Sequence, residues 1–110
     1  MDIKPIKPPS ILNFIDMVAY SADGIISKRI LEKQTGNITL FSFDQGQKLS
    51  EHTAPFDAMV QVLEGESEIS INTKTYILKA GESIIMPANV PHAVYATTKF
   101  KMLLTMIKGN

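Results

Sequence analysis

The sequence predicts an all-β fold, a small double-sheet jelly roll, and three observations carry that prediction. Short segments rich in β-branched and aromatic residues recur along the chain, separated by turn signals every 8–12 residues or so. No segment sustains a 3.6-residue apolar period, and no strand–helix–strand alternation occurs. Two blocks opened by glycine, residues 46–65 and 81–92, each deliver one of the two histidines of the chain, His52 and His92.

Taken in order, residues 1–10 contain Pro5, Pro8 and Pro9 and read as an extended arm, because proline fixes φ and removes a backbone donor. A tail without regular structure and an arm laid over a neighbouring subunit are both open readings. Residues 11–18 place apolar groups at 11, 12, 14, 15 and 18, which fits one short helical turn or an irregular start. The arm is taken as 1–19 and the barrel domain as 20–110. Asp23-Gly24 is a tight-turn pair. Strands are expected over 25–31 and 38–43, with a turn over 32–37 and another over 44–46. Pro55 breaks regular pairing after His52, so residues 50–56 bend or sit at a bulge or sheet rim. Residues 58–63 form a strand, 64–66 a hairpin turn and 67–71 an alternating strand. Asn72 opens the next loop, since asparagine tolerates positive φ. Residues 76–78 and 83–86 are strands, the second ended by Pro87, and extended structure resumes over 91–96. The last strand, 99–107, carries Phe100, Met102, Leu104 and Met106 on one parity and Lys101, Leu103, Thr105 and Ile107 on the other. The total is eight or nine short strands.

A chain of 110 residues suits one domain and buries a core without disulfide or metal staples. It has no cysteine, which removes disulfides, thiolate metal sites and a cysteine nucleophile, and which fits a cytosolic protein. Eleven basic residues balance eleven acidic ones, so charge gives no reason to propose nucleic acid or an anionic membrane as partner. The N-terminus lacks the apolar core of a signal peptide, and no apolar run approaches the ~20 residues of a membrane span. The expectation is a soluble, cytoplasmic domain. No Gly-x-Ser-x-Gly elbow and no glycine-rich phosphate loop occurs.

The two glycine-opened blocks resemble the two signature motifs of the cupin family, over roughly residues 38–107. In the family's first motif a glycine is followed, after five intervening residues, by His-x-His, then a glutamate, then a closing glycine. Gly46, His52 and Gly65 hold those places here, whereas Ala54 stands at the second histidine and Ala58 at the glutamate, with Asp57 just before it. In the second motif Gly81, Pro87 and His92 match; Asn89, another residue that tolerates positive φ, replaces a glycine, and Ala96 an asparagine. The resemblance implies a double-stranded β-helix, a jelly-roll barrel. It also implies a divalent transition metal (nickel, zinc or iron), normally held by three histidines and a carboxylate. With only His52 and His92 left as metal ligands, weak retention or none is expected.

Strand parity places Ala58, Val60 and Val62 inward and Asp57 outward. The expected ligand-binding set is His52, His92, Met86, Val60 and Ala58: an apolar cavity lining with two imidazoles at one end. A purely structural histidine pair, bonded to backbone or water, is the competing reading, and for Asp57 it is a solvated or turn-capping carboxylate. The expected function is binding of a small organic ligand in the barrel. The alternative is a cupin-type enzyme, dioxygenase- or isomerase-like, using His52 and His92 with a weakly held metal or His92 as general base. A sensor domain acting through partner proteins is a third reading. No catalytic residue is assigned. A homodimer is expected from the proline-rich arm, from the apolar residues 11–18, and from strands such as 59–63 that are apolar on both faces.

Overall fold

The computed structural model describes residues 6–109. The first five residues of the expected arm, Pro5 among them, and Asn110 lie outside the described residues. Nine strands occur among those described: β1 Ile25–Lys33, β2 Gly36–Phe43, β3 Lys48–His52, β4 Phe56–Glu64, β5 Glu66–Ile71, β6 Lys74–Lys79, β7 Ser83–Met86, β8 His92–Tyr95 and β9 Phe100–Lys108. They build a five-stranded sheet ordered β1-β2-β9-β4-β7 and a four-stranded sheet ordered β3-β8-β5-β6, with every ladder antiparallel. This is the predicted jelly-roll architecture.

Alternation along the strands explains the two layers. On β4, Ala58, Val60 and Val62 are buried, and on β9 so are Phe100 and Met102; Ile69 of β5 and Val94 of β8 meet them from the other sheet. Phe43 and Phe100 stack at the centre with ring centroids 4.5 Å apart, and neither ring is accessible to water. Phe43, Phe100 and Met102 therefore fill the middle of the sandwich with side chains.

The opposite parity of the five-stranded sheet is also apolar, and the chain covers part of it with its own N-terminal segment. Residues Phe14–Met17 form a single 3-10 turn. Phe14, Met17 and Val18 pack on Leu40 and Leu103 of the outer sheet face. Polar bonds fix the segment in place: Ser42 Oγ donates to the Ala19 carbonyl at 2.7 Å, and Lys101 Nζ donates to the Ile15 carbonyl at 2.6 Å. Lys101 is almost fully buried, with the Glu64 carboxylate 3.7 Å away and the Tyr20 ring 5.0 Å beneath its ammonium. A buried ammonium is tolerated because it is paired and hydrogen-bonded. Tyr20 donates its hydroxyl to Glu64 at 2.5 Å; burial first, then Glu64, hold the phenol above its ordinary pKa. Upstream, Ile6, Pro8, Leu12 and Phe14 line one cleft with Ile30, Leu31 and Ile38. Leu12, Phe14, Met17 and Val18 are thus covered at least in part by the chain's own sheet, whereas Ile11 and Ile15 stay exposed.

Two turns differ from the sequence reading. The turn expected over 32–37 shrinks to Gln34–Thr35, because β1 and β2 stay paired from Ile25↔Phe43 to Lys33↔Gly36. Residues 64–66 are not a hairpin. β4 pairs only with β7 and β9, and β5 only with β6 and β8, so Gly65 is the corner at which the chain passes from one sheet to the other. A positive-φ glycine serves either role locally. Which strands pair is decided by the sheets, and the two-residue hairpin lies instead at Asn72–Thr73, where φ is 49° and 71°.

Candidate functional site

The two histidines meet at the end of the four-stranded sheet. His92 opens β8 and has the parity of Val94; its cross-strand neighbour on β5 is Ile71, as Ile69 is of Val94. Its side chain therefore faces the space between the sheets, and it is only 7% exposed. His52 ends β3 directly opposite, in the register His52↔His92, and is exposed. A register shift separates Leu49 from His52, so Ser50 and Glu51 together oppose Ala93. This bulge lies within the residues 50–56 expected to bend, and bulges re-aim side chains in this way.

The rings touch through their Nε2 atoms, 3.1 Å apart, with centroids 4.3 Å apart and planes 68° apart. Each Nδ1 faces a backbone carbonyl: that of Ser50 at 2.7 Å for His52, that of Val90 at 3.1 Å for His92. A carbonyl only accepts, so the network assigns Nδ1–H to both rings. Two unprotonated Nε2 lone pairs then face each other. The contact is favourable with one proton shared between them, with a cation, or with a proton donor on a ligand. His92 is the ring kept neutral: burial depresses its pKa, the Val90 carbonyl acts in the opposite direction, and charge on His52 depresses it further.

The remaining expected residues lie across the sandwich. Ala58 of β4 pairs with Met86 of β7, and Val60 with Ile84; Ala58, Val60 and Met86 are all buried in the core shared with Val94. The structure brings His52 to His92, and Ala58 and Val60 to Met86, on opposite sheets. Asp57 points outward, and its Oδ1 accepts the Ala88 N–H at 2.9 Å. Among the described residues no group of three His, Cys, Asp or Glu side chains is placed to hold a metal. Sequence reasoning missed the Ser50 and Val90 carbonyls, since a bulge and a loop carbonyl carry no residue-type signal. Asn89, flagged for its tolerance of positive φ, does adopt φ 63°. Clefts of about 320 and 480 Å³ lie elsewhere, one on the outer face of the four-stranded sheet beside Lys48, Glu68 and Tyr95, the other between β1 and the N-terminal segment.

A family model described as the cupin domain matches residues 39–108. The chain belongs to the cupin family. Its fold is close to that of a conserved protein of unknown function from Streptococcus pyogenes, at 38% identity and a TM-score of 0.90, with 97% of this chain and 94% of that one covered. A cupin 2 conserved barrel domain protein from Leptotrichia buccalis is 43% identical with a TM-score of 0.86; the match covers 88% of this chain and 47% of that one. A cupin superfamily protein from Desulfitobacterium hafniense, 23% identical, shares the fold at a TM-score of 0.88 over 99% of this chain and all of its own. No curated protein matches the chain. Among the described residues of this cupin no helix is long and apolar enough to cross a membrane.

The depressed pKa of His92 has a consequence for stability. The unfolded chain takes up this proton more readily than the folded one, so the contribution of the neutral ring is present above the ordinary imidazole value of 6.5 and is lost as pH falls below it. The melting temperature is expected to drop between pH 7.5 and 5, and His92→Gln to flatten that dependence. A variant with the parent's slope would show that the loss arises elsewhere.

Proposed function

We propose that this cupin binds a small organic ligand at the end of the sandwich that carries the histidine pair. The imidazoles read one polar group on it, and Ala58, Val60 and Met86 supply apolar surface from the facing sheet. The observation that supports this most is the convergence of two Nε2 acceptors, 3.1 Å apart, with both Nδ1 atoms already tied to backbone. Such a pair holds two lone pairs ready at the rim of a core that is otherwise apolar. A ligand group with an O–H or N–H inserts by donating to them, whereas a bare carboxylate is disfavoured while the rings are neutral. Because Phe43, Phe100 and Met102 fill the centre, the reading places the ligand at the histidine end only.

Native mass spectrometry of the protein as purified from its own cells is expected to show a bound organic species that His52→Ala/His92→Ala loses. A species retained unchanged by that double variant would move the site elsewhere. Chain mass alone, together with ring nitrogens undisturbed by a fragment library, would favour a structural or interaction role.

The second reading is an enzyme with a weakly held divalent metal, and the Nε2 spacing favours it. Bonds of about 2.0–2.1 Å at angles of 90–110° put two imidazole nitrogens about 2.8–3.4 Å apart. The donor set fits poorly beyond that pair. Methyl groups stand at Ala54 and Ala58, and Asp57 is turned to the Ala88 amide. Solvent would complete most of the shell, so no reaction step is assigned to a metal here.

A further inference from the structure

We propose that Asp57 is a positioning residue for the His52–His92 pair, acting through the loop between β7 and β8; the proposal rests on the reading of that pair as the ligand-contacting site. Asp57 lies on β4 of the five-stranded sheet, one residue before the inward Ala58. Its carboxylate accepts the N–H of Ala88, 31 residues further on. The tie therefore runs from one sheet to the loop that feeds β8 of the other, so it does more than cap a local turn.

The loop residues after Ala88 are bound one by one. Asn89 donates its N–H to the Ala54 carbonyl at 2.8 Å, and Pro91 accepts from the Asn72 N–H at 2.8 Å. Between them the Val90 carbonyl takes the Nδ1–H of His92. Ala54 lies in the link from His52 to β4 and Asp57 near the start of β4, so both ties join the chain that follows His52 to the loop that precedes His92. The position of the Val90 carbonyl decides which ring nitrogen of His92 carries hydrogen, and so whether Nε2 is an acceptor. A carboxylate makes the stronger bond to a backbone N–H because it is charged. With that bond lost, the Asn89–Ala54 and Asn72–Pro91 bonds alone hold the loop around Val90, and its end at Ala88 is loosened. The His92 ring is then free to exchange tautomers, and Nε2 stops being a fixed acceptor for His52 or for a ligand.

The test uses the full chain, nitrogen-15 labelled and without added ligand, at one fixed pH of about 8, above the ordinary imidazole value. The parent is expected to show one tautomer at His92, with protonated Nδ1 and unprotonated Nε2. Asp57→Asn keeps an oxygen acceptor and should retain that pattern. Asp57→Ala should give averaged ring nitrogens at His92 and a shifted His52. A parent-like ring spectrum in Asp57→Ala overturns the proposal, even with a lowered melting temperature, because a merely structural tie would lower stability and leave the tautomer fixed. Should Asp57→Ala fail to fold, Asp57→Glu serves, since it keeps the charge but displaces the acceptor; a parent-like spectrum there overturns the proposal equally. No ligand enters this readout, so a failed ligand search and a failed positioning role are distinguishable.

Discussion

Replacing Gly65 by alanine is expected to be among the most damaging single substitutions in this cupin, although it adds only one methyl group. Gly65 has φ +80° and sits where the chain leaves the five-stranded sheet for the four-stranded one. A Cβ there would lie 2.1 Å from the Lys99 carbonyl oxygen and 2.8 Å from the Cα and Cβ of Phe100. Lys99 leads directly into β9, the middle strand of its sheet, and Phe100 opens that strand and is locked in the stack with Phe43. The neighbour cannot move without disturbing the core. Left-handed backbone costs a non-glycine residue about 1–2 kcal/mol, and overpacking typically adds about 1–3 kcal/mol. At about 4 °C or more per kcal/mol for a domain of this size, the melting temperature should fall by about 8 °C or more. Gly81→Ala is the control: φ is similar, +91°, but nothing lies within 4 Å of the added Cβ. It should cost only the backbone part. Equal losses in the two variants, by thermal melting at one pH, would show that the corner at Gly65 is not sterically closed.

The double substitution Ala54→His with Ala58→Glu is expected to turn a poor metal site into a good one. The resemblance to the family places its missing histidine and carboxylate at these two positions. Ala58 is inward and buried, opposite Met86 and Met106, and Ala54 is tied by its carbonyl to Asn89 in the loop that leads to His92. Two added donors should tighten nickel, zinc or cobalt binding by about 100-fold or more, worth about 2.7 kcal/mol. Without metal the variant should be less stable than the parent, because the carboxylate introduced by Ala58→Glu would be desolvated on an apolar wall. Metal at 100 times its Kd should return about 2.7 kcal/mol of stability, read as a rise in melting temperature that the parent does not show. Calorimetric titration that finds the variant no tighter than the parent would mean that residues 54 and 58 do not converge on the histidines. A parent that itself holds a full equivalent of metal tightly would overturn the weak-site reading.

Much of the fold was legible because it follows from local rules. Parity along β4 and β9 is a two-residue repeat, so Ala58, Val60, Val62, Phe100 and Met102 could be placed inward from residue type alone. Asn72 and Asn89 could be read as positive-φ positions because the sterics of one residue decide that. The spacing of Gly46 to His52 and of Gly81 to His92 carried the family, and with it the expectation that both histidines enter one space.

What the chain alone left open depends on groups distant in sequence. Gly65 looks the same as a hairpin glycine or as a corner between sheets, because its φ does not reveal which strands pair. The apolar residue types over 11–18 do not say which surface they meet; Phe14, Met17 and Val18 pack on Leu40 and Leu103 of their own sheet, with Lys101 bound to the Ile15 carbonyl. Asp57 reads as a solvated or turn-capping carboxylate until its oxygen is found on Ala88, 31 residues away. The acceptor character of the histidine pair was equally hidden. It depends on a bulge at Ser50–Glu51 and on the Val90 carbonyl, backbone groups that every residue possesses. Only the packing of one sheet against the other aims them.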